Sequence, residues 1–218
     1  MVTIILGISL SVLDGTIVNL ALPAMSRDLH ATASEAVWVV NAYQVATLAL
    51  LLPCAMAGDL FGYRRVYLWG LALFTVASAA CVMADSLLFL AVARAVQGLG
   101  AAGIMAVNAA LVRLTYPKNL LGRGVALNSL VVAIASVGGP SVAAAILSVA
   151  SWPWLFALNV PLGVVVLVLG YRALPYNTTE RPAGVKLSLL DVSLNALMFG
   201  LVFLGADSLL TRAGSETA

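Results

Sequence analysis

Two formal charges stand deep inside apolar sequence. Asp14 lies in the stretch LDGTIVNLALP, Leu13 to Pro23, within an apolar run that begins at Met1; Arg94 lies in a second run, from Leu87 to Ala109. A carboxylate in such a place can exchange a proton or meet a cation, and a guanidinium keeps its charge and biases that of a neighbouring carboxylate. A structural ion pair that fixes helix packing is the other reading of the same two residues. Either way, a charge at the centre of a bilayer costs about 2.5–3.5 kcal/mol on insertion scales, so something must offset it.

The elements that hold these residues are long and apolar. Of the 218 residues, 62% are hydrophobic and 9% charged, with a mean hydropathy of +1.07. That composition excludes an ordinary soluble domain. Runs of about 18 or more apolar residues recur along the chain, each able to cross a hydrocarbon core of about 30 Å as a helix. The expected fold is an all-α membrane protein with seven spans near residues 2–22, 36–57, 66–84, 87–109, 124–149, 154–172 and 188–208. The first span has no charged region before it and no small-residue cleavage site after it, so it reads as a retained helix rather than a signal peptide.

Lysine and arginine set the orientation. One set of connections carries Arg64, Arg65, Arg113, Lys118, Arg123, Arg172, Arg181 and Lys186, and the other only Arg27 and Arg212. The expectation is a cytoplasmic N-terminus, with the loops around 58–65, 110–123 and 173–187 on the same side. The net charge of +2 then reflects topology and gives no reason to expect a nucleic-acid partner. Cys54 and Cys81 fall near opposite ends of neighbouring spans, too far apart for a disulfide, and no metal site or cofactor is suggested. His30 reads as a solvated loop residue, and the sequon at Asn177 to Thr179 falls on the cytoplasmic side, where it cannot be used.

Spans one to six divide into two triplets. Each has an odd number of crossings, so the second triplet runs inverted relative to the first, as in inverted-repeat transporters. Residues 1–172 form the expected six-helix bundle, the proline-containing RALPYNTTERPAGVK region a cytoplasmic linker at 173–187, Ser188 to Ser208 a seventh helix, and 209–218 an outer tail. Asp14 and Arg94 then occupy equivalent helices, each about 12–14 Å below the outer surface at 1.5 Å per residue, and could face one cavity.

Several stretches, in order, are similar to the major facilitator superfamily, and within it to the fourteen-helix drug:proton antiporters. LDGTIVNLALP resembles that family's first-helix signature. GDLFGYRR, Gly58 to Arg65, resembles the cytoplasmic motif between helices two and three. The residues alone suggest a tight turn at Gly62, an acceptor at Asp59 for helix-end N–H groups or an arginine, and a positive-inside anchor in Arg64 and Arg65. Leu60 and Tyr63 stand where the family commonly has arginine, and Ala55 where it has glycine. RAVQGLGAAG, Arg94 to Gly103, is similar to the fourth-helix motif, whose arginine the family links to proton coupling. ASVGGPSVAAAIL resembles the antiporter motif through Gly139 and Pro140, with Ala135, Ala143 and Ala144 in place of glycines. The spacing Ala135, Gly139, Ala143 still permits close helix contact. SWPWLFALNVPLG, Ser151 to Gly163, resembles the entry to helix six; Trp152, Trp154 and Phe156 suit an aromatic belt at the membrane surface.

The resemblance implies proton-coupled efflux of lipophilic, cationic compounds by alternating access. This chain would be the N-terminal half, working in the lipid bilayer against a C-terminal half. Asp14 and Arg94 would couple protons to substrate, and Asn19, Asn41, Tyr43, Gln44, Gln97 and Asn108 are candidates to line the cavity. A metabolite carrier would share the fold. A heptahelical receptor is opposed by the inside N-terminus, and a retinal protein by the position of both lysines, Lys118 and Lys186, in loops. An intramembrane enzyme is disfavoured because no deep histidine pair, second deep carboxylate or activated serine or cysteine is evident.

Overall fold

The computed structural model of the chain describes residues 1–175, together with Leu194 and Met198. Apart from those two helical residues, the expected seventh span lies outside the described residues, as do the outer tail and the linker beyond residue 175. Six helices long and apolar enough to cross a membrane account for nearly all of the rest.

Helix α1 runs from Val2 to Asp28 and continues through Pro23 past the end of its apolar run. It reaches farther than hydropathy alone suggests because its last turn satisfies itself: the Arg27 Nε–H donates to the Pro23 carbonyl at 3.1 Å. Helix α2, Ala33–Phe61, starts at a reciprocal cap. The Glu35 N–H donates to Thr32 Oγ1 at 3.2 Å, and the Thr32 N–H to Glu35 Oε2 at 2.8 Å, so two otherwise orphaned donors are used.

Helix α3, Tyr63–Val82, follows after Gly62 alone. That residue adopts φ 100°, which glycine takes without strain, and it reverses the chain in one step. Helix α4 is Leu87–Thr115, with Ser86 accepting from the Phe89 N–H at 3.3 Å. A 3-10 turn at Lys118–Leu120 leads into α5, Leu121–Leu147. The sixth crossing is divided into α6, Pro153–Ala157, and α7, Asn159–Ala173, parted only by Leu158.

Packing repeats between the triplets α1–α3 and α4–α7. Helix α1 lies on α5 as α4 lies on α2, and α1 meets α4 at the middle. Small residues permit the closest approaches. A Cβ on Gly98 would come 2.4 Å from the Tyr43 carbonyl oxygen of α2, and one on Gly100 2.5 Å from the Phe74 nitrogen of α3. On α5 the buried residues are Gly124, Ala135, Gly139 and Ala143, the last three one turn apart against α1, so this helix touches the bundle along a narrow stripe. Two apolar clusters form the core. One contains Ile17, Leu90, Ala93 and Phe156, the other Leu10, Tyr67, Phe74 and Ala101. Asp14 and Arg94 lie between them in sequence on both α1 and α4.

Candidate functional site

Asp14 and Arg94 are both 0% exposed and form an ion pair, Arg94 Nη1 donating to Asp14 Oδ2. The structure brings the two side chains together. Among the described residues both side chains are fully buried rather than lining an open cavity, with neighbours from every crossing but α5 packed around them.

The second carboxylate oxygen, Oδ1, accepts from Gln97 Nε2 at 3.0 Å and from Asn159 Nδ2 at 2.6 Å. Gln97 lies one turn after Arg94, as i,i+3 spacing on a helix requires, and its Oε1 accepts from Arg94 Nη1 at 2.7 Å. Its Nε2 also donates to Ser78 Oγ on α3 at 2.8 Å, while Cys81 Sγ approaches Oε1 at 3.7 Å. Arg94 Nε donates to the Val39 carbonyl of α2 at 3.3 Å. Its guanidinium carbon stands 4.1 Å from the centre of the Tyr43 ring and 5.5 Å from that of Phe156. Among the described residues Nη2 has no hydrogen-bond partner, and these two π-faces attract that side of the cation. Tyr43 is held in turn by its hydroxyl, which donates to the Ser11 carbonyl at 2.9 Å.

Both charges are therefore neutralised and almost fully hydrogen-bonded, the condition under which a buried pair survives in a low-dielectric core. Removing one partner of such a pair costs about 3–5 kcal/mol, because the other charge is left uncompensated.

The six polar cavity candidates divide. Tyr43 and Gln97 join the pair. Asn19 is exposed and turns back on its own helix, its Nδ2 reaching the Gly15 carbonyl at 3.4 Å. Asn41 is half-buried and Gln44 exposed. Asn108 is not at the depth of Asp14: it lies fourteen residues beyond Arg94 on the same helix, about 21 Å at 1.5 Å per residue. There it donates to Asn128 Oδ1 of α5 at 3.0 Å.

Two aromatic residues also differ from expectation. Phe156 is fully buried beside Arg94, and Trp152, 4% exposed, donates from Nε1 to Asp28 Oδ2 at 2.9 Å, whereas Trp154 is 61% exposed. Residue type cannot separate a surface belt from a core plug at a helix entry; here the turn before α6 brings Trp152 against the end of α1. The contribution of Asn159 was not read from the sequence at all.

In the GDLFGYRR turn, Asp59 accepts from the Tyr63 hydroxyl at 2.6 Å, so the tyrosine standing in an arginine position supplies the donor. Arg64 is buried, donates to the Tyr171 carbonyl of α7 and lies over its ring at 5.5 Å; Arg65 is exposed. On α5, Gly139 is buried against Thr16 while Pro140 is exposed. Among the described residues no cluster of three or more histidine, cysteine, aspartate or glutamate side chains could hold a metal.

Among the described residues, six helices long and apolar enough to cross a membrane, packed as two triplets around one buried charge pair, make an integral multi-pass membrane protein. The chain matches the Major Facilitator Superfamily over residues 4–213 and belongs to it. It is 52% identical over 200 residues to the uncharacterized transporter YebQ of Escherichia coli, covering 92% of this chain and 44% of that protein. It is 34% identical to the riboflavin transporter RibZ of Clostridioides difficile, covering 80% of this chain and 38% of the relative. It is also 32% identical to the tetracenomycin C resistance and export protein of Streptomyces glaucescens, covering 93% and 38%. The chain thus spans less than half the length of these curated relatives.

Proposed function

We propose that this chain is the N-terminal part of a fourteen-helix drug:proton antiporter that exports lipophilic, cationic compounds across the cytoplasmic membrane, with protons and the lipid bilayer as its other partners. The observation that carries the reading is the buried Asp14, which is the one carboxylate sealed in the bundle core among the described residues and is met by donors from α4 and α7. The export protein among the relatives supports the direction of transport. The end of the bundle that holds Arg64, Arg65, Arg113, Lys118, Arg123 and Arg172 faces the cytoplasm by the positive-inside rule, and the N-terminus with it.

Alternating access supplies what the closed state lacks. With no exposed surface on Asp14, a drug reaches the carboxylate only after the helices part. A proton taken up there converts the ion pair into a hydrogen bond between a cation and a neutral acid. The cationic substrate then has no counter-charge and leaves, and exchange follows because one carboxylate cannot serve both. Rocking requires a second bundle, which the C-terminal half would supply. Gly139 and the exposed Pro140 lie on α5, the helix least buried by its own bundle, where that half would bear.

The test is drug uptake by inverted vesicles carrying the full-length protein. Uptake should follow an imposed pH gradient, collapse when the gradient is dissipated, and vanish in Asp14→Asn at undiminished membrane abundance. The similarity to the riboflavin transporter favours a second reading, a carrier for a metabolite. A pH-driven flux of a planar metabolite with no flux of lipophilic cations would select it.

A further inference from the structure

Gln97 and Asn159 both donate to Asp14 Oδ1, yet they differ in what else they do. Both ends of the Gln97 amide are engaged: Oε1 accepts from Arg94, and Nε2 donates to Ser78 as well as to Asp14. Turning that amide over would oppose its N–H groups to the guanidinium. Among the described residues the Asn159 amide makes a single hydrogen bond, Nδ2 to Asp14, and nothing donates to its Oδ1. The residue is 2% exposed and stands at the first position of α7, immediately after the break at Leu158.

Protonation of Asp14 discriminates between the two oxygens. Oδ2 faces Arg94, which does not give up its protons, so the incoming proton belongs on Oδ1. A carboxyl O–H there needs an acceptor, and burying it without one is costly. We infer that Asn159 is the positioning residue for this proton: it donates to the carboxylate and, by turning its amide over about χ2, accepts from the carboxylic acid. The proton comes from water and returns to water, Arg94 stays charged, and Oδ2 of the acid still accepts from Nη1. The tie between α1 and α7 is inverted rather than broken, so the sealed core satisfies both protonation states. This role rests on the reading of Asp14 as the coupling carboxylate.

The titratable groups that face this pair are Arg94 from α4, Tyr43 from α2 and Cys81 from α3. Apart from Asp14 itself, the charged residues of α1, α5 and α7, namely Arg27, Asp28, Arg123 and Arg172, lie in the terminal turns of their helices, and α6 has none.

The test is infrared difference spectroscopy of the full-length protein in lipid, titrating the carboxyl C=O band that Asp14→Asn removes. A bond to an ionised acceptor is roughly twice as strong as a neutral one. Asn159→Leu, of similar shape with no polar atoms, should therefore move the midpoint up by about one pH unit or more, and should shift the acid band to higher frequency as its O–H loses its acceptor. Asn159→Asp, which keeps the shape and serves if the leucine variant fails to fold, should hold a proton to still higher pH, because two adjacent carboxylates do not both ionise. A wild-type midpoint and band in these variants overturns the role of Asn159 while leaving that of Asp14 intact. A wild-type protein with no Asp14 band at any pH overturns both.

Discussion

Gly139 on α5 lies so close to Thr16 on α1 that a Cβ placed on the glycine would come 2.0 Å from the threonine Oγ1 and 2.9 Å from its Cβ. The threonine is not free to yield, since its hydroxyl donates to the Leu13 carbonyl at 2.9 Å. Gly139→Ala should destabilise the protein by about 1–3 kcal/mol through overpacking. Thr16→Ala in the same chain should recover part of that loss, visible as a non-additive pair in thermal unfolding in detergent. Additive losses would mean that the two helices are not in contact here.

The Asp14–Arg94 pair makes a contrasting prediction for single and double variants. Arg94→Ala leaves a buried carboxylate without its counter-charge and should cost about 3–5 kcal/mol. Arg94→Gln with Asp14→Asn removes both charges and keeps hydrogen-bonding groups, so stability should return close to wild type while exchange does not. Thermal unfolding reads the first effect and vesicle transport the second.

Trp152 and Asp28 tie the start of α6 to the end of α1. A hydrogen bond to a charged group is worth about 1.5–3 kcal/mol. Trp152→Phe and Asp28→Asn should each lower stability, and the double variant should lose little more than the worse single one. Equal and additive losses would place the energy in packing alone.

Gly62 should resist substitution. Its φ of 100° is strained for any residue with a Cβ, at about 1–3 kcal/mol. Gly62→Ala is expected to lower the unfolding midpoint, whereas Leu60→Ala beside it should not match that effect.

The charges of the site were legible in the sequence because an ion in an apolar run is expensive and conspicuous, and helical spacing then carried Gln97 to the same face as Arg94. Ala135, Gly139 and Ala143 were legible for a similar reason: a small residue every turn has one packing consequence. Asn108 was misplaced because polarity within an apolar run says nothing of depth, and fourteen residues of helix separate it from Arg94. Asn159 is overshadowed in the sequence by the aromatic residues before it, which suit a membrane-surface belt. Its signal was present: between Trp154 and Tyr171 it is the sole side chain able to form a hydrogen bond. What no pattern could supply is the closure, in which α2, α3 and α6 bring Val39, Ser78 and Phe156 around a pair that lies on α1 and α4.

The most direct measurement of the central claim is proton release on substrate binding. Purified full-length protein in weakly buffered solution should release protons when a lipophilic cation is added, because the drug and the proton exclude each other at Asp14. Asp14→Asn should still bind the cation, more weakly, and release none. Release of wild-type size from the variant would contradict the account and place the coupled proton on another group.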